Sequence, residues 1–194
     1  MPDDTSTKTL IADGALRFPG ADAILSPGEL SELEEGGATD TLIKTAMSVA
    51  RPSDRALVLG GGSGLIPVLL GLRLGLRHLA IVERETDRLA YLSEVLSENR
   101  LIRATCHVAA PADFQPTLII SDLARGPAAA LPDLGKMDGL RALVLRLPET
   151  RPEIAQVFDL ATFGGLTYFP RQSCGNVVTF LSRWHQAAGT AAMP

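Results

Sequence analysis

Three glycines at alternating positions, Gly60, Gly62 and Gly64, follow the apolar run Ala56-Leu57-Val58-Leu59. A strand that turns sharply into a helix while a ligand touches its backbone needs residues without a Cβ, and this spacing supplies the opening. The helix amino end beyond the loop favours a negative ligand group. Glu83 stands about 20 residues further on, directly after a second apolar run, His78 to Val82. An acidic side chain there can accept hydrogen bonds from both hydroxyls of a ribose. Loop and acid together describe a pocket for an adenosine-type ligand.

Spacing separates the enzyme classes that use such a loop. Dinucleotide enzymes need G-x-G-x-x-G, but the last position is Leu65 counted from Gly60 and Pro67 counted from Gly62. The hydrolase elbow needs G-x-S-x-G, and Gly61-Gly62-Ser63-Gly64 is followed by Leu65. Ser63, Asp122 or Asp159, and His185 stand in the chain order of a hydrolase triad, yet that elbow is incomplete. The unbroken pattern is G-x-G-x-G.

At these residues the sequence resembles the class I S-adenosylmethionine-dependent methyltransferases, and among them the FkbM-like family. Leu57 to Gly64 is similar to that family's glycine loop, and Glu83 corresponds to its ribose-binding acid. Gly37-Ala38-Thr39-Asp40 resembles an element whose acid lies near the methionine moiety. Leu96-Ser97-Glu98-Asn99 resembles the end of the following helix, and the stretches Phe163 to Leu166 and Asn176 to Phe180 resemble the closing strands. The likeness spans residues 10 to 183. It departs from the family at Val58, where an acid is usual, and at Ile120 and Ala124 around the retained Asp122.

The resemblance implies a Rossmann-like fold and S-adenosylmethionine as cofactor, bound at Gly60, Gly62, Gly64, Glu83 and Asp40. It implies methyl transfer, read as O-methylation of a small-molecule or glycan-type acceptor. A protein that keeps the fold for binding or scaffolding without turnover is the alternative, motivated by Val58, Ile120 and Ala124. Methyl transfer needs the acceptor in line with the sulfonium methyl, and a base adds about 10²–10⁴-fold where a proton must leave. Asp122, at the end of the fourth strand of the alternating region, is the candidate base. Asp113, beyond the third of these strands, is a candidate acceptor for the adenine amino group. No metal is expected: Cys106 and His107 are neighbours on one strand and point to opposite faces, while His78 and His185 stand alone. Trp184 and the pair Tyr168-Phe169 read as packing residues.

These groups must be positioned by regular elements. From Arg55 onward, short apolar runs alternate with helical patterns. Strands are expected at Ala56–Leu59, His78–Val82, Ala104–Val108, Thr117–Ser121 and Ala142–Arg146. Helices are expected at Gly64–Leu74, around Leu89, Leu92 and Leu96, and at Glu153–Phe163. Leu166–Phe169 and Asn176–Leu181 close the chain as an antiparallel pair. The pattern specifies an α/β domain with a doubly wound, mostly parallel sheet. Upstream, Thr9–Phe18 and Ala21–Leu25 are expected to form a hairpin turning at Pro19-Gly20. Glu29, Glu32, Glu34 and Glu35 are expected on a solvated face, and Asp40 is expected to cap a helix through Leu42 and Val49. The domain organisation is then a 1–52 extension, a 53–186 cofactor domain and a disordered 187–194 tail.

Composition bounds the rest. The chain has 194 residues, 46% of them apolar, with a net charge of −4 and two cysteines. That size favours one domain, and the acidic balance makes nucleic acid an unexpected partner. Two cysteines and a polar start without signal-like features make the cytoplasm the expected compartment. The apolar stretch from Ala56 to Leu76 carries Arg73, Pro67 and several glycines, so it reads as strand, turn and helix instead of a membrane span.

Overall fold

The computed structural model describes residues 9–12, 15–125 and 131–183. The expected tail, together with Trp184 and His185, lies outside the described residues. The chain opens with β1 (Thr9–Ala12) and β2 (Leu16–Pro19), paired antiparallel with Ala12 opposite Leu16. This corrects the expected hairpin, because the chain reverses between Ala12 and Leu16 and not at Pro19-Gly20. Leu16 and Phe18 are both buried, as alternate residues on one strand face should be. Gly20 adopts φ 66° and starts a single helical turn, α1 (Ala21–Ile24), where a second strand was expected.

Helix α2 (Pro27–Glu34) begins with a capping box: the Ser26 hydroxyl accepts from the Glu29 amide, and the Glu29 carboxylate accepts from the Ser26 amide. Helix α3 (Thr41–Val49) is capped by Asp40, whose Oδ1 accepts from the Ile43 amide at 2.8 Å. Its buried face carries Leu42, Ile43, Ala46 and Val49.

The alternating region follows as β3 (Arg55–Leu59), α4 (Leu65–Arg73), β4 (His78–Val82), α5 (Thr86–Glu98), β5 (Ala104–His107), β6 (Leu118–Asp122), β7 (Ala142–Arg146), α6 (Arg151–Phe163), β8 (Leu166–Tyr168) and β9 (Val177–Ser182). The sheet order is β5-β4-β3-β6-β7-β9-β8. The five strands from β5 to β7 are parallel, and β9 inserts antiparallel between β7 and β8. The chain winds outward from β3 to β5, then returns to place β6 against the other side of β3. That reversal is a topological switch point, where the carboxyl ends of the strands diverge to leave a crevice.

Both faces of the sheet's centre are covered, so β3, β4, β6 and β7 read as mainly apolar runs, whereas the edge strand β5 does not. Ala56 and Val58 face a core shared with Phe18, Leu33, Ile43, Leu65 and Leu92. Leu57 and Leu59 face the opposite core with Ile119, Leu143, Val157 and Phe180. The segment before β3 therefore packs into the same core as α4 and α5. The apolar stretch from Ala56 to Leu76 resolves into β3, the glycine loop and α4, and no helix among the described residues is long and apolar enough to cross a membrane.

Candidate functional site

A cleft of about 350 Å³ opens at the switch point, above the carboxyl ends of β3, β4 and β6. Gly60, Gly62 and Gly64 all have left-handed backbones, with φ of 76°, 53° and 84°. They do not all do the same work. A Cβ built at Gly60 or Gly62 would meet no atom within 4 Å, so these two present open backbone to the cleft. At Gly61 a Cβ would strike Leu92 Cδ1 at 2.1 Å, and at Gly64 it would press on Leu92 and Val95 at 3.3 Å. Gly61 and Gly64 thus let α5 pack against the loop, and Gly64 lies outside the cleft lining.

Glu83 lines the cleft at the end of β4. Its carboxylate accepts from the amides of Arg84 at 2.8 Å, Glu85 at 3.1 Å and Gly61 at 3.3 Å. Backbone donors from two loops thus fix its orientation before any ligand arrives.

Asp40 and Asp122 are brought together by a residue that sequence reasoning missed. Arg146 ends β7 directly opposite Asp122 in the register. Its guanidinium donates to Asp122 Oδ2 at 2.6 Å and to Asp40 Oδ2 at 2.5 Å. Burial pulls the Arg146 pKa down, but the hydrogen bond it donates to Asp40 and the charges of Asp122, Asp40 and Glu32 outweigh it, so the guanidinium is held charged. Asp122 Oδ1 also accepts from the Ala124 amide at 3.2 Å. Both oxygens of the candidate base are therefore engaged. The sequence signal was the position: a charged residue at the carboxyl end of a predicted parallel strand.

Glu29 corrects the expectation of a solvated acidic face. It is buried, lines the cleft and pairs with Arg88 at 2.7 Å. Arg88 also donates to the Gly62 carbonyl at 3.3 Å, which ties α2, α5 and the glycine loop together. Burial alone would raise the Glu29 pKa, but hydrogen bonds from Arg88 and Ser26 outweigh it and hold the carboxyl at about 2. The S-x-x-E capping signature at Ser26-Pro27-Gly28-Glu29 marked this helix start in the sequence. Tyr91, on the next turn of α5 after Arg88, donates its hydroxyl to the Ser63 carbonyl at 2.9 Å.

Asp113 is exposed on the loop after β5 and does not line the cleft. Val58 and Ile120 do line it, at 1% and 0% exposure, and form an apolar floor between Glu83 and Asp122. Among the described residues no cluster of His, Cys, Asp or Glu could hold a metal ion.

No protein-family model matches the chain, and no curated protein matches its sequence. Solved structures match its shape. The ribosomal protein L11 methylase of Lactobacillus delbrueckii subsp. bulgaricus superposes with a TM-score of 0.57 at 11% identity, over 74% of this chain and 77% of that one. Precorrin-6y C5,15-methyltransferase of Geobacter metallireducens GS-15 gives 0.57 at 11% identity, over 81% and 93%. TYW2 of M. jannaschii, solved in complex with AdoMet, gives 0.55 at 14% identity, over 91% and 84%. The fold is therefore the Rossmann-like sheet that these methyltransferases share, with its antiparallel strands at the carboxyl end.

Proposed function

We propose that this protein is an S-adenosylmethionine-dependent methyltransferase whose cofactor lies over Gly60 and Gly62 with its ribose on Glu83. The observation that supports this most directly is the pairing of open, Cβ-free backbone at Gly60 and Gly62 with a pre-oriented carboxylate one strand away. A bulkier loop would fill the space, and a freely rotating acid would lose entropy on binding. The bound cofactor supplies an electrophilic methyl on its sulfonium.

The protein's part is to bind and orient. Glu83 accepts from the ribose hydroxyls, and Val58 with Ile120 offers an apolar floor that keeps water from the reacting centre. Asp40 and Arg146 supply charges of both signs beside the strand ends, suited to the ammonium and carboxylate of a methionine moiety. The acceptor fits as a hydroxyl of a small molecule or glycan, with Asp122 as the nearest acceptor for its departing proton. Within the class we assign the protein to the FkbM-like family on the resemblance of its glycine loop and Glu83, and the free thiols Cys106 and Cys174 support a cytoplasmic setting.

The test is transfer of labelled methyl from S-adenosylmethionine into small-molecule and saccharide fractions. Transfer is expected with the wild type and should fall about 10²–10⁴-fold in Asp122→Asn while cofactor binding persists. A binding protein without turnover is the second reading, favoured by the engagement of both Asp122 oxygens by Arg146 and the Ala124 amide. Tight cofactor binding without transfer to any acceptor would select it.

A further inference from the structure

A second groove of about 380 Å³ lies at the other end of the sheet, where β4 and β5 begin. It is separated from the cleft by the length of β4, about 13 Å. Arg77, Arg100 and Arg103 line it over a floor of Leu76 and Leu79, and Ile102 stands at its rim. No carboxylate lines it. Among the described residues none of these three arginines has an ion-pair partner, although the whole chain carries a net charge of −4. Arg100 sits just past the end of α5 with φ 58°, a left-handed backbone that turns Leu101 and Ile102 out of the helix direction. Leu101 folds inward against Gly71 of α4, while Ile102 is left 89% exposed. A helix carboxyl end accounts for one neighbouring cation. It does not account for Arg77, Arg103 or the bare isoleucine between Leu101 and Arg103.

An anion alone would satisfy the arginines and leave Ile102 in water. Unpaired RNA bases would need an aromatic platform, and no aromatic side chain lines the groove. A bilayer surface offers phosphates and apolar depth at one place, which matches three guanidinium groups around one protruding aliphatic side chain. We propose that this groove docks the protein onto a membrane surface rich in anionic phospholipid. The arginines engage headgroup phosphates, and Ile102 enters the acyl boundary. In this pose the cofactor cleft, at the opposite end of the sheet, faces away from the bilayer. The proposal is independent of the methyltransferase reading.

The full chain is tested by cosedimentation with vesicles of phosphatidylcholine, alone or mixed with phosphatidylserine, at low ionic strength. Binding is expected to the mixed vesicles and not to pure phosphatidylcholine, and it should weaken as salt rises. The variant Arg77→Gln/Arg100→Asn/Arg103→Gln should lower the partition coefficient about 100-fold, with asparagine chosen because it tolerates the left-handed backbone. Ile102→Ser should lower it about tenfold. Should the triple variant fail to fold, by its melting curve, Arg77→Gln/Arg103→Gln gives the same test with a smaller loss. Absence of binding to mixed vesicles, or binding unchanged by the arginine variants or by Ile102→Ser, would overturn the proposal. So would arginine-dependent retention on homopolymeric RNA without vesicle binding, which would assign the groove to nucleic acid.

Discussion

Glu29 and Arg88 meet at the cleft wall although they stand 59 positions apart in sequence, and the same guanidinium nitrogen that donates to Glu29 also reaches the Gly62 carbonyl. One side chain of α5 thus fixes both α2 and the loop on which a ligand would rest. The pair is largely shielded, with the Glu29 side chain 8% and the Arg88 side chain 20% exposed. Removing Glu29 would take from the largely buried Arg88 its nearest counter-charge and leave it the more distant Glu85 at 3.7 Å.

The pH dependence follows from the direction of the Glu29 shift. Its folded pKa of about 2 lies below the ordinary 4.5, so the pair stabilises fully above pH 4.5 and loses that contribution as pH falls toward 2. Glu29→Gln should cost about 2–3 kcal/mol at pH 7 and flatten the acid limb of the stability curve between those values. Urea unfolding at a series of pH values measures this. Part of the limb should persist, because Asp54 is also held low. Burial pushes its pKa up, but hydrogen bonds from Arg141, the Arg51 amide and Thr117 outweigh that.

Gly62→Val should abolish binding of S-adenosylhomocysteine by placing a side chain in the open cleft. Backbone strain has to be separated from this, and Gly75 provides the comparison. It too is left-handed, at φ 67°, with nothing within 4 Å of a built Cβ, but it does not line the cleft. Each valine should cost at least about 1–2 kcal/mol of stability. Calorimetry should then show binding lost in Gly62→Val and kept in Gly75→Val.

Glu83→Ala should weaken binding by about 1.5–3 kcal/mol, the scale of hydrogen bonds to a charged group. Because Glu83 also accepts from the Gly61, Arg84 and Glu85 amides, the alanine variant should show faster amide hydrogen exchange at those three residues. Unchanged affinity would move the ribose away from β4.

Val58→Asp restores the acid that the resembling family carries. Val58 is 1% exposed between Ile81 and Ile120 on neighbouring strands, so an unpaired carboxylate there is costly. The expected signature is a lower Tm for the free protein and a larger ligand-induced rise, since a tighter ligand stabilises by mass action. A lower Tm with no larger rise would place the methionine end away from Val58.

The centre of the sheet was legible because β3, β4, β6 and β7 are short, mainly apolar runs bounded by turn residues. His78–Val82 and Ala142–Arg146 match their expected bounds. The hairpin was misplaced because Pro19-Gly20 reads as a turn, whereas the positive φ of Gly20 serves instead to start α1. Glycine spacing and Glu83 were visible because their geometry is local. Glu29, Arg88 and Arg146 were not, since their roles arise from pairings 59 and 106 residues apart that no short window contains. Asp113 lies exposed outside the cleft lining, a placement its sequence position could not show, because standing after β5 says nothing of which way the loop leans.

Isothermal titration of the protein with S-adenosylhomocysteine and, separately, with NAD tests the central claim most directly. The account predicts one saturable adenosylhomocysteine site that Gly62→Val and Glu83→Ala remove or weaken, and no tight NAD site. Tight NAD binding with no adenosylhomocysteine binding would contradict it.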